Sequence, residues 1–135
     1  MIVAIRQNDL HKWWPLVREF IEKALSKGYG EYESEDIHTL LEDEQATLLL
    51  AVINGKAVAG IVVTLLKKPA LREMVILTAG GEHLDEWLDD IMIAFDRLAI
   101  EQMADVIAIH GREGWVKKLK PYGYEPAHTT VIKRL

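Results

Sequence analysis

Apolar positions follow two rhythms along this chain. Leu10, Trp13, Trp14, Val17, Phe20, Ile21, Ala24 and Leu25 fall at helical spacing and make one apolar face. Asn8 or Asp9 is placed to cap that helix, Pro15 is expected in its first turn, where a missing N–H does no harm, and Gly28 ends it. Ser34 is expected to cap a short second helix running to about Glu42, with Ile37, Leu40 and Leu41 turned inward. The cleanest helical pattern is Leu84, Trp87, Leu88, Ile91, Met92, Phe95, Leu98 and Ala99. Acidic Glu82, Asp85, Glu86, Asp89, Asp90 and Asp96 lie near its start or on its other face. A last short helix carries Trp115, Val116 and Leu119 and ends at Pro121 and Gly123.

The remaining segments read as strands: Ile2 to Arg6, Gln45 to Ile53, Lys56 to about Leu66, Leu71 to Thr78, Asp105 to His110, and one or two between Tyr124 and Leu135. Asn54-Gly55 is a hairpin turn, because both positions need positive φ. The strands flanking it are apolar nearly throughout, as strands buried on both faces are. The resulting order is β-α-α-β-β-β-α-β-α-β. It predicts a single α/β domain over residues 1–135, built on a mixed, mostly antiparallel sheet of six or seven strands with helices on both faces. The crossover from the strand at Leu71 to that at Asp105 should be parallel and right-handed.

Composition narrows the function classes. Half of the 135 residues are hydrophobic, and 16 Lys+Arg stand against 21 Asp+Glu, a formal net charge of -5. That balance argues against a nucleic-acid partner, and the Lys117, Lys118, Lys120 cluster lacks the interleaved aromatics of such a surface. With no cysteine, thiolate metal sites, disulfides and cysteine nucleophiles are excluded. His11, His38, His83, His110 and His128 show no metal-ligand spacing, so no metal is expected. MIVAIRQNDL has no signal-peptide pattern and no apolar run reaches membrane-spanning length. The expectation is a cytoplasmic protein without a membrane partner.

Four features resemble the GCN5-related N-acetyltransferase superfamily. Asn54-Gly55 followed by Ala57-Val58-Ala59-Gly60 is like its strand-pair motif. Thr78-Ala79-Gly80-Gly81 leads a strand into a long helix, which ends near Ala99 and Met103-Ala104-Asp105 as the family's does. The segment from Arg112 to Tyr124 is similar to the family's last helix and its Gly-aromatic end. Gly111-Arg112-Glu113-Gly114-Trp115 further resembles acetyltransferase-like proteins of tailed phages and prophages, for which the host cytoplasm is the compartment implied. The resemblance implies acetyl-CoA as co-substrate, lying where the strands Leu71–Thr78 and Asp105–His110 diverge, and an amine acceptor, on a protein or a small molecule. Its pyrophosphate would meet backbone N–H groups at the start of the long helix, and a strand N–H would polarise the thioester carbonyl. The noncatalytic alternative is the same fold binding a virion or host protein. A homodimer is implied only by analogy.

Candidate residues follow from that placement. Leu77, Thr78, Ala79, Gly80, Gly81, Glu82 and Arg112 are candidates for cofactor contact; Gly80-Gly81 could equally be a tight turn that requires glycine. Glu73 and His110, one on each cleft strand, are candidate bases, and Tyr122 a candidate acid, since Leu119 stands where the family has tyrosine. Two further departures are the acidic residues after Gly81 and Arg112 in place of asparagine. Trp115 reads as a core anchor.

Overall fold

The computed structural model describes residues 1–110 and 113–135. Among these, five strands form one sheet in the order β1-β2-β3-β4-β5: β1 Ile2–Ile5, β2 Thr47–Ile53, β3 Lys56–Lys68, β4 Leu71–Gly81 and β5 Val106–Ile109. The first three pairings are antiparallel; β4 and β5 run parallel, as the crossover requires. The helices are α1 Leu10–Leu25, α2 Ser34–Glu42, α3 Leu84–Glu101 and α4 Glu113–Leu119.

Strand alternation divides the core. Leu49, Ala51, Ile61, Val63, Met74 and Ile76 face α3, which answers with Trp87, Ile91, Met92 and Phe95. Leu48, Leu50 and Val62 face the other way, onto Val17 and Ile21 of α1 and Ile37 of α2. The hairpin turn is as read, with Asn54 at φ 51° and Gly55 at φ 75°.

Four expectations are corrected. The sheet has five strands, not six or seven: the segment from Tyr124 to Leu135 joins no strand. Pro126 has no N–H to give a ladder, and Val131, Ile132 and Leu135 stay exposed. β2 starts at Thr47 rather than Gln45, because the N–H groups of Gln45 and Ala46 are spent on the Leu40 carbonyl at the end of α2. Pro15 lies in the second turn of α1, since a 3-10 turn at Gln7–Asp9 starts the helix early; its exposed ring only deprives the His11 carbonyl of a partner. Glu33, not Ser34, is the cap of α2. Its N–H donates to Asp36 Oδ2 at 2.8 Å, while the Ser34 hydroxyl donates to Glu22 Oε1 at 3.1 Å and ties α2 to α1.

Candidate active site

The sheet opens at one place. β4 pairs with β5 only from Glu73 to Ile76, opposite Val106 to Ile109. Beyond Ile76, β4 runs on to Gly81 with no β5 partner among the described residues. The register of β4 against β3 shifts at the same point: Val63 pairs with Ile76, but Val62 pairs with Thr78, leaving Leu77 as the extra residue. A bulge of this kind re-aims the strand where pairing stops. Among the described residues, no strand takes up the backbone groups on the β5 side of that stretch.

Two sequence candidates converge beside this opening. Met74, Ile76, Ile107 and Ile109 point to α3, so Glu73 and His110 stand on the opposite face. Glu73 is only 7% exposed. His110 Nε2 lies 3.9 Å from Glu73 Oε1, and Lys68 Nζ lies 2.9 Å from Glu73 Oε2. Ala108 lies on the same face between Val106, the partner of Glu73, and His110. The 3.9 Å gap is too long for a direct hydrogen bond. A third polar atom, such as an amine nitrogen, can bond to both. His128, from the segment after Tyr124, brings its ring edge-on to His110 at a centroid distance of 6.4 Å and an interplanar angle of 79°.

Lys68 and His128 were missed in the sequence. Lys68 was within reach: Leu66 pairs with Glu73, and Lys68, two residues on, shares its face. His128 carries no local signal, because its place depends on an irregular segment.

The glycine pair belongs to the strand, not to a loop: β4 extends to Gly81, three residues past the expected end at Thr78. A Cβ at Gly80 would stand on the Phe20 carbonyl of α1, 2.9 Å from its carbon and 3.0 Å from Ala24 Cβ; one at Gly81 would stand on Ala59 and the Val58 carbonyl. Close packing thus requires glycine at both positions. Leu77 packs toward α1 and α2, Thr78 is buried, and Ala79 packs toward α3. Glu82 is held in both directions, its N–H donating to the Val58 carbonyl at 2.8 Å and its carbonyl accepting from Trp87 Nε1 at 2.8 Å. His83, left-handed at φ 58°, turns the chain into α3 without a side-chain cap. Asp85 and Glu86 occupy the first turn, and Lys118 Nζ reaches Asp85 Oδ1 at 3.9 Å.

Tyr122 is not brought to the Glu73–His110 pair. Its hydroxyl donates to Asp89 on α3, and that bond, with burial and the Asp89 charge, raises its pKa. Leu119 is buried at 3% exposure and Trp115 is half-buried beside the same core. Arg112 lies outside the described residues. Among the described residues, no group of three His, Asp or Glu is placed to hold a metal ion, and no helix is long and apolar enough to cross a membrane.

No family model matches the chain, and no curated relative matches it. Solved structures do match. A ribosomal-protein-alanine N-acetyltransferase from Brucella melitensis biovar Abortus 2308 superposes with a TM-score of 0.72 at 16% identity, covering 100% of this chain and 99% of its own. An aminoglycoside acetyltransferase from an uncultured soil metagenomic sample gives 0.72 at 17% identity, with coverage of 100% and 97%. A GCN5-related N-acetyltransferase from Ralstonia eutropha JMP134 gives 0.70 at 14% identity, again with 100% and 97%. The chain therefore has the fold of the GCN5-related N-acetyltransferases over its whole length.

Proposed function

We propose that this protein transfers an acetyl group from acetyl-CoA to an amine, with Glu73 and His110 as the pair that takes the amine's proton. The observation that carries the reading is their convergence across 3.9 Å, beside the one place where β4 loses its partner. When bound, acetyl-CoA supplies the thioester whose acetyl carbon bonds to the amine nitrogen as the C–S bond breaks, and the departing CoA thiolate takes its proton from solvent. An ammonium must first lose a proton. Glu73 Oε1 accepts from it and fixes it, and His110, with a side chain 53% exposed, takes the proton and passes it to solvent. The free β4 edge offers N–H donors to the thioester oxygen as charge develops there. The N–H groups that open α3 face the phosphates, with Lys118 beside them.

The acceptor's class rests on fold likeness alone, and fold does not fix function. A kinship with phage-encoded members would rest on Gly80-Gly81, Trp87 and above all the segment from Gly111 to Trp115, and a place in the host cytoplasm would follow only from it. Two observations favour a second reading, a noncatalytic protein that binds a virion or host protein. Asp85 and Glu86 stand where phosphates would lie, and buried Leu119 leaves no tyrosine at the acid position.

The test is acetyl transfer to a panel of amines, read with the parent, Glu73→Gln and His110→Gln. Both substitutions should lower kcat about 100-fold, as expected for loss of a general base. KM for acetyl-CoA should hold. Turnover that survives both changes would assign the base elsewhere.

A further inference from the structure

We infer that His128 is a positioning residue for His110, and that the C-terminal segment from Glu125 to Leu135 is a strap that delivers it. This rests on the reading of Glu73 and His110 as the proton-accepting pair. His110 follows the last residue of a four-residue edge strand, and its side chain is half exposed. Its link to Glu73, at 3.9 Å, is too long to fix a ring by itself. A second contact is needed to keep Nε2 turned toward the carboxylate, and the His128 ring, packed edge-on at 6.4 Å, supplies it.

The segment that carries His128 forms no helix or strand, so its course is set by its ends. At one end Tyr124 packs into the core beneath α3, and its N–H donates to the Leu119 carbonyl at 3.4 Å. At the other, the Arg134 guanidinium donates to the Tyr29 carbonyl. It also lies over Gly30, with its terminal nitrogens 3.7 and 3.8 Å from where a Cβ would be. The strap thus joins the end of β5 to the loop that follows α1, the helix packed on Gly80 of β4. Among the described residues, the charged or titratable groups facing His110 are Glu73 from β4, with Lys68 from β3 behind it, and His128 from the strap.

The experiment records the His110 imidazole resonances by NMR in the parent and in His128→Ala, His128→Phe, Arg134→Ala and Glu73→Gln. Glu73→Gln defines the spectrum of His110 released from its carboxylate. His128→Ala should move His110 toward that spectrum, His128→Phe should hold it near the parent because a ring is retained, and Arg134→Ala should move it part of the way. In acetyl transfer, His128→Ala should lower kcat about tenfold, part of what a general base contributes. KM for acetyl-CoA should be unchanged, with recovery in His128→Phe. His110 resonances unmoved in His128→Ala, or moved equally in both His128 variants, would overturn the positioning role; resonances unmoved in Arg134→Ala would overturn the strap. A parent without acetyl transfer defeats the enzymatic reading instead, and the spectra still decide whether His128 holds His110.

Discussion

At the scale of single residues, the side chains that matter most are polar groups whose surroundings decide what they can do. Tyr124 is the sharpest case. Its hydroxyl is buried with no hydrogen-bond partner among the described residues, and burial, with the nearby Asp96 charge, pushes its pKa up to about 12. A phenol in the unfolded chain ionises near 10. Between these values the unfolded state releases a proton that the fold retains, so the stability Tyr124 contributes is full below about pH 10 and is lost as pH rises through 12. Tyr124→Phe should be neutral or slightly stabilising at pH 7, since the lost hydroxyl bonds nothing. It should also shrink the loss of stability between pH 10 and 12. Urea melts across that range check both; a variant with the parent's alkaline slope would remove Tyr124 as the cause. Glu73 and His110 were legible as candidates because both strands were. Their meeting was not, because it depends on a four-strand-position reach over Ala108 that no local pattern encodes.

At the scale of elements, the pattern of apolar residues gave α1, α3 and the β2–β3 hairpin their places, since each buries a continuous face. It misplaced what individual hydrogen bonds and close contacts decide: the start of β2, the cap of α2 and the end of β4. The glycine pair shows why. Gly80-Gly81 reads locally as a turn, yet it is the strand's last step, pressed between α1 and β3. Gly80→Ala should therefore cost about 2 kcal/mol or more, because the α1 backbone must move to admit a Cβ. Thermal melts without any ligand check this. A parent-like Tm would show that the helix yields freely. The start of α3 yields the opposite kind of expectation. Asp85 in its first turn stabilises the helix but repels a phosphate and engages Lys118. Asp85→Asn should lower stability by about 0.3–1 kcal/mol and still tighten CoA binding several-fold. Calorimetry with CoA decides; weaker binding would place the phosphates elsewhere.

At the scale of the whole molecule, the fold matches acetyltransferases end to end at only 14–16% sequence identity. The order of elements was readable because it follows from periodicity and connection rules. The sheet's last edge was not, because the segment after Tyr124 has too few apolar residues to declare a strand and instead crosses to Tyr29. What the assembled molecule offers a ligand is a β4 edge that has no partner among the described residues beyond Ile76, the start of α3 that follows it, and His110 at the end of β5 within 3.9 Å of a buried carboxylate. An enzyme must bind acetyl-CoA there in its native state only, and such binding raises stability by RT ln(1 + [L]/Kd). At a hundredfold excess over Kd that is about 2.7 kcal/mol, which for a chain of this size raises Tm by roughly 10 °C. A binding protein that has abandoned the cofactor gains nothing from it. Acetyl-CoA should therefore raise Tm in a concentration-dependent way, and Asp85→Asn should show the same rise at lower concentration because its phosphate site is less opposed. Glu73→Gln should keep the rise in full, since the role proposed for Glu73, beside Lys68 and His110, is toward the acceptor amine and not the cofactor. A melting temperature that millimolar acetyl-CoA leaves where it was, in parent and Asp85→Asn alike, would end the catalytic reading and leave the noncatalytic one.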